Sequence, residues 1–147
     1  MINLGFHSGK QAPEVHYYPN LLDRVLEGIA LVELIAMWGG YFRLREEFTP
    51  AMEQAIIASL LCLLVGASAY FPIRYINFPV KITRQNVAMQ YTLVIRLCRM
   101  LNIALTGMMA ASVFMEHSEL CETLFYAALL GMAGSLVAYF ILAFRYK

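Results

Sequence analysis

Four apolar stretches, each about long enough to cross a membrane as a helix, dominate the chain, and short polar connections separate them. A bilayer core about 30 Å thick takes roughly 20 mostly apolar residues in helical conformation. The first stretch covers about 21–42 (LLDRVLEGIALVELIAMWGGYF) and the second about 52–73 (MEQAIIASLLCLLVGASAYFPI). The fourth, about 123–144 (TLFYAALLGMAGSLVAYFILAF), contains no charge. The third, about 84–115, is too long for one perpendicular crossing, and its first half carries Gln85, Asn86, Gln90, Arg96 and Arg99. Within it Gln85, Thr92, Arg96, Arg99, Asn102 and Thr106 recur mostly at spacings of three, four or seven, which places them on one helix face. The pattern predicts an all-α integral membrane four-helix bundle, with a long third helix whose cytoplasmic end is amphipathic. Thr83 is positioned to cap that helix by accepting from a free backbone N–H.

Residues 1–20 precede the bundle as an N-terminal arm, and residues 21–147 form one transmembrane domain. The arm lacks the apolar core and small-residue cleavage site of a secretory signal, so it is expected to remain as a loosely ordered or interfacial segment. Its Tyr17 and Tyr18 suit the headgroup region. Pro50 and Pro79 bracket connections and Pro72 marks the end of the second helix, because proline disfavours helix interiors. Four crossings put both termini on one side. That side collects Lys10, Arg24, Arg74, Lys81, Arg84, Arg145 and Lys147, against Arg43 and Arg45 on the other. The bias of basic residues towards the cytoplasm predicts cytoplasmic termini.

Composition sharpens this reading and removes several function classes. Of 147 residues 61% are hydrophobic and 14% charged, with a mean hydropathy of +0.62, whereas soluble domains run near 45–50% apolar and about 25% charged. An ordinary cytosolic enzyme is excluded. Eleven basic residues against ten acidic ones leave a net charge of +1, so the basic surface that nucleic-acid binding requires is missing. Three cysteines, two of them inside apolar segments, imply no disulfide framework.

The ionisable residues inside apolar segments carry the candidate chemistry, because a charge at mid-bilayer costs about 2.5–3.5 kcal/mol on insertion scales and calls for a partner. Glu33 lies about twelve residues into the first helix, near 18 Å of rise, too deep for its short stem to reach either interface. Glu27 lies closer to the cytoplasm. Arg96 and Arg99 enter from the same side on the third helix, so Glu27 or Glu33 is expected to pair with Arg96 or Arg99, with Asn102 in the same network. Two alternatives stand beside pairing: both arginines snorkel to lipid phosphates, or the charges serve a transport or proton-relay path. Small-residue stripes at Ala36 and Gly40, at Ala58, Cys62 and Gly66, and at Ala127, Gly131 and Ser135 are expected at helix contacts.

Other constellations are weaker. Glu116, His117, Glu119, Cys121 and Glu122 crowd the loop before the fourth helix, but they equally describe a hydrated loop, and a structural zinc site normally shows four nitrogen or sulfur ligands. His7 and His16 read as solvated residues of the arm. No glycine-rich phosphate loop, HExxH, GxSxG or paired-cysteine motif occurs, so no metal, cofactor or catalytic residue is assigned and a non-enzymatic protein is expected.

The segment INFPVKITRQNVAMQYTLVIRLCRMLNIAL resembles the signature of the SdpI-like family of bacterial integral membrane proteins. The residues that carry the resemblance are Asn77, Phe78, Pro79, Val80, Ile82, Thr83, Asn86, Gln90, Tyr91, Arg96 and Arg99. Glu27, in LEGIAL, resembles the family's acid near the start of its first helix. The family's outer Pro-x-His-Phe-Asn segment is missing, since residues 43–50 read RLREEFTP. If that segment recognises a partner in relatives, this chain is a trimmed version with altered or lost binding. The resemblance implies a bacterial inner-membrane protein without an enzymatic role, related to immunity proteins that protect against a secreted peptide toxin and hold a regulator at the membrane. The alternative is a small transporter or channel subunit using Glu33 and Arg96 or Arg99 in a polar path. The lipid bilayer is the expected surrounding and nucleic acid is not an expected partner.

Overall fold

In the computed structural model, which describes residues 7–9, 13, 15–46 and 52–147, the chain is an all-α four-helix bundle. The helices are α1 (Leu21–Leu44), α2 (Met52–Ser68), α3 (Val87–Ser112) and α4 (Glu119–Arg145). Single 3-10 turns cover Ile73–Tyr75 and Met115–His117. Helices α1, α3 and α4 are each long and apolar enough to cross a membrane, and this is a membrane protein. Lys10 and Pro50, which entered the orientation and turn arguments, lie outside the described residues.

Helix α3 is the central element, packed against each of the other three, whereas α1 and α4 barely meet. Helices α1 and α3 run parallel in a fixed register. Asp23 meets Arg99, the Glu33 carboxyl lies against Gly107, and Gly40 sits under the Phe114 ring. On α2 the small residues Ala55, Ala58 and Cys62 are buried, and a Cβ added at Gly66 would lie 3.2 Å from Asn102 Nδ2. This stripe therefore sets a close approach to α3, as small residues do where lipid supplies no hydrophobic drive. The α1–α2 seam is closed further along by Trp38 Nε1 donating to Ser59 Oγ at 2.9 Å.

The helix ends depart from the sequence expectation for local reasons. Helix α2 stops at Ser68, five residues before Ile73, and its 17 residues span about 25 Å at 1.5 Å per residue. Ser68 Oγ donates back to Val65 O at 2.6 Å, competing with the helical ladder. Pro72 lacks an N–H, and Phe71, as the residue before proline, is biased away from helical geometry. Helix α3 starts at Val87 rather than 84, after a reciprocal cap: Thr83 N donates to Asn86 Oδ1 at 2.8 Å and Asn86 N to Thr83 Oγ1 at 3.3 Å. It ends at Ser112 rather than 115, where Phe114 turns in over Gly40. Helix α4 begins at Glu119, four residues early, because Ser118 accepts from Cys121 N and the acids Glu119 and Glu122 favour the positive helix start. Cys121, expected in a loop, is therefore in the first helical turn.

The arm is not a loose tail where it is described. His7–Ser8 (β1) pairs antiparallel with Asn77–Phe78 (β2), His7 opposite Phe78 and Ser8 opposite Asn77. Gly9 N then donates to Ile76 O at 2.9 Å. Phe78 is fully buried beside Ala69, Ile73, Val87, Tyr91 and Ile95, forming an apolar core at the end of the bundle where α1 and α3 begin. A Cβ at Gly9 would fall 2.1 Å from Ile73 O, a clash only glycine avoids. Gly9→Ala should therefore release the arm, seen as faster hydrogen exchange and proteolysis across residues 7–9, whereas Gly134→Ala, with open space around its Cβ, should leave both unchanged.

Candidate functional site

The densest polar arrangement lies where α1 leaves the arm. Asn20 caps α1 in a reciprocal box: its Oδ1 accepts from Asp23 N at 3.0 Å and its own N–H donates to Asp23 Oδ2 at 2.8 Å. This box turns the Asp23 carboxylate inward, and Tyr17 also donates its hydroxyl to Oδ2. The other oxygen, Oδ1, faces Arg99 Nη1 at 3.1 Å and Arg96 Nε at 3.7 Å. The Arg99 contact is close but not aligned as a hydrogen bond, so charge rather than direction holds it. One turn along α1, Glu27 Oε1 accepts from Arg99 Nε at 3.0 Å and Nη2 at 2.8 Å, and from the Tyr70 hydroxyl at 2.6 Å. The Tyr17 and Tyr70 rings flank the guanidinium at 5.7 and 6.0 Å, a cation–π arrangement.

Asp23 is inaccessible and Arg99 is 3% exposed, so the cluster is desolvated at its centre. Charge-assisted bonds are strong, but most of what they supply offsets desolvation, and the cluster acts chiefly as a positional lock between α1 and α3. Arg96 has a half-open side chain at the rim, in keeping with a basic group reaching towards water or phosphate.

Glu33 stands apart from the arginines. Its carboxyl lies against Gly107, where an added Cβ would sit 3.1 Å from Oε1, and Oε2 is buried with no hydrogen-bonding partner among the described residues. On α3 the residues Arg99, Asn102 and Thr106 are buried on one face, whereas Gln90, buried about two and a half turns before Arg99, points the opposite way, to the end of α4. Gln85 is exposed, and Thr92 bonds back to Ala88 O at 2.8 Å. Asn102 turns to α2, its Nδ2 3.9 Å from Cys62 Sγ. Asp23 was missed in the sequence reading, although Asn20 three residues before it is a capping signal and Glu27 four residues after it shares its helix face.

The residues that carry the family resemblance converge beside this lock. Phe78, Pro79 and Val80 are buried, Ile82 is half-buried, and Asn77 contributes backbone to the strand pair. Asn86 Nδ2 donates to Lys81 O at 3.0 Å, in addition to its exchange with Thr83. Gln90 Nε2 donates to Ala143 O and Tyr146 O at 2.9 and 3.0 Å, closing the carbonyl end of α4. Tyr91 donates to Phe71 O at 3.1 Å, which supports the unwound connection after α2. A cleft of about 610 Å³ opens between arm and connection, with His16, Tyr17, Tyr70, Arg74, Tyr91 and Arg99 among its walls. Among the described residues, no three His, Cys, Asp or Glu side chains gather as metal ligands.

Removal of one partner should reveal the lock. Arg99→Met leaves the buried Asp23 with only the more distant, half-open Arg96 and should cost about 3–5 kcal/mol, whereas Arg96→Met should cost under about 1 kcal/mol, both read from detergent-denaturation midpoints. A second expectation concerns alkali. Burial, and then the Asp23 carboxylate, raises the Tyr17 pKa above its ordinary value; hydrogen bonding to Glu27, and then burial, does the same for Tyr70. Protonated hydroxyls are the bonded form, so their contribution is complete below about pH 10 and is lost as pH rises through the higher folded values. Tyrosinate absorbance should therefore rise together with proteolytic release of the arm, and Tyr17→Phe should remove part of that coupled transition.

Compared with protein-family models, with curated protein sequences and with solved structures, the chain matches none.

Proposed function

We propose that this is a small, non-enzymatic, multi-pass protein of a bacterial inner membrane, of SdpI-like type, that works by binding at the end carrying its termini. The observation that carries the reading is the joint construction of that end. The arm, the connection after α2 and the start of α3 form one folded platform, knitted by the β1–β2 pair, the Gly9–Ile76 bond and the Asp23–Arg99–Glu27 lock. A platform braced this way suits recognition of a partner rather than turnover.

The charge distribution supports a cytoplasmic setting for it. Arg24, Arg74, Lys81, Arg84, Arg145 and Lys147 are exposed around this end, and Tyr18, Tyr70, Tyr75 and Tyr146 are exposed among them. Basic residues on the cytoplasmic side and aromatic rings at the headgroups are what membrane insertion favours. The opposite end presents Glu46, Glu116, Glu119 and Glu122 alongside Arg43 and Arg45. The partner in this reading is a peptide toxin, as in immunity, or a regulator recruited to the membrane. Loss of the gene should sensitise cells to a secreted peptide toxin, and a Phe78→Ser variant that reaches the membrane at normal level should fail to restore protection. Equal survival of deletion and parent strains across a toxin panel would overturn the immunity reading.

A further inference from the structure

The gap left between α1 and α4 over the surface of α3 is a groove of about 490 Å³, a size that suits a drug-like molecule. Its walls include Met37, Gly107, Phe114, Ala127 and Gly131, and Glu33 is the acid among them; none of its lining residues is basic. Ala127 and Gly131 were expected at a helix contact, yet a Cβ at Gly131 would have nothing within 4 Å. On α4 these small residues therefore leave space instead of closing it. Along one edge Ala36, Met100, Leu124 and Ala127 are exposed, so the groove opens sideways into the lipid.

Glu33 gives this apolar groove a single polar point. One of its oxygens is buried without a hydrogen-bonding partner among the described residues, and the nearest guanidinium cluster is committed to Asp23 and Glu27, about ten to six residues nearer the start of α1, or roughly 15 to 9 Å of helical rise. A carboxylate in an apolar setting is costly unless a cation meets it. From this geometry we infer that the groove binds a lipophilic organic cation, its charged centre at Glu33 and its apolar body along Met37, Phe114 and the small-residue face of α4. Charge selects this occupant over a second copy of the chain in the same membrane orientation, because a symmetric approach through this groove would bring one Glu33 towards another. The inference concerns a site separate from the terminal platform and does not depend on the immunity reading.

Tetraphenylphosphonium and tetraphenylborate, alike in shape and opposite in charge, test it on the purified full chain in detergent. Saturable binding of the phosphonium and no saturable binding of the borate are expected. Glu33→Gln should weaken phosphonium binding about tenfold or more, and Gly131→Leu, which fills the groove and keeps the acid, should weaken it comparably. Monodisperse elution of both variants establishes that they are folded. Absence of saturable binding by folded parent protein, equal binding of the borate, or phosphonium affinity within about twofold of the parent in Glu33→Gln would overturn the inference. A dimer that excludes the phosphonium and that Gly131→Leu separates into monomers would overturn it in favour of a second copy.

Discussion

A guanidinium withdrawn from water must be met by negative charge, and that constraint fixes how α1 sits on α3. Arg99 is 3% exposed, and an ion placed there without partners would cost several kcal/mol. Helix α1 meets it with two carboxylates one turn apart, Asp23 and Glu27, which share a face because their spacing is four. Once both are engaged, rotation and axial register of the two helices are set together. The contacts further along, Glu33 at Gly107 and Gly40 beneath Phe114, follow at nearly the same residue offset. The cap of α1 belongs to the same device: Asn20 starts the helix and holds Asp23 facing inward.

The short α2 follows from that arrangement as well. Had the helix continued to Ile73, Tyr70 would project from its surface at a helical angle and the Phe71 carbonyl would point along its axis. Unwinding after Ser68 lets Tyr70 donate to Glu27 and lets Phe71 O accept from Tyr91. The connection then carries Ile73 and Phe78 into the apolar cluster and presents Ile76 and Asn77 to the arm. Backbone groups released from the helix are thus taken up by named partners, as a partly buried connection requires.

Features that depend on local pattern were legible in the sequence. The bundle, the crowding of polar side chains on α3 and the small-residue face of α2 all follow from helical periodicity. The spacing also placed the acids of α1 and the arginines of α3 at similar depth, but it could not choose Glu27 over Glu33, nor Arg99 over Arg96, without knowing which face of α3 meets α1. That choice depends on Tyr91, Ile95 and Asn102, which share the buried face with Arg99. The early end of α2 was hidden because its apolar run continues to Ile73, where Pro72 alone marked the end, and the back-bond of Ser68 to Val65 O is visible only in the structure. The pairing of His7–Ser8 with Asn77–Phe78 was not legible at all, since strands of two residues have no period and their partners lie some seventy positions apart. The open groove was likewise misread, because a stripe of small residues on α4 looks the same whether a neighbour fills it or not.

The contrast between the acids of α1 separates architecture from chemistry. Asp23 and Glu27 hold the register of two helices. Glu33 has no such duty: Trp38 and Ser59 tie α1 to α2 without it, and Met37 packs α1 against Val113. Opposite it, in the middle of α3, stands Gly107, where alanine would favour the helix by about 1 kcal/mol but would bring a Cβ to 3.1 Å from the carboxyl, which would have to shift to admit it. Two residues are therefore unfavourable for folding at the same point, one by desolvation and one by backbone freedom, and each is accounted for by the other only if the carboxyl is needed there. A bundle selected for stability alone would favour an apolar side chain at 33 and alanine at 107. The pair is better understood as the polar point of a binding groove, placed where two helices that barely meet leave α3 uncovered.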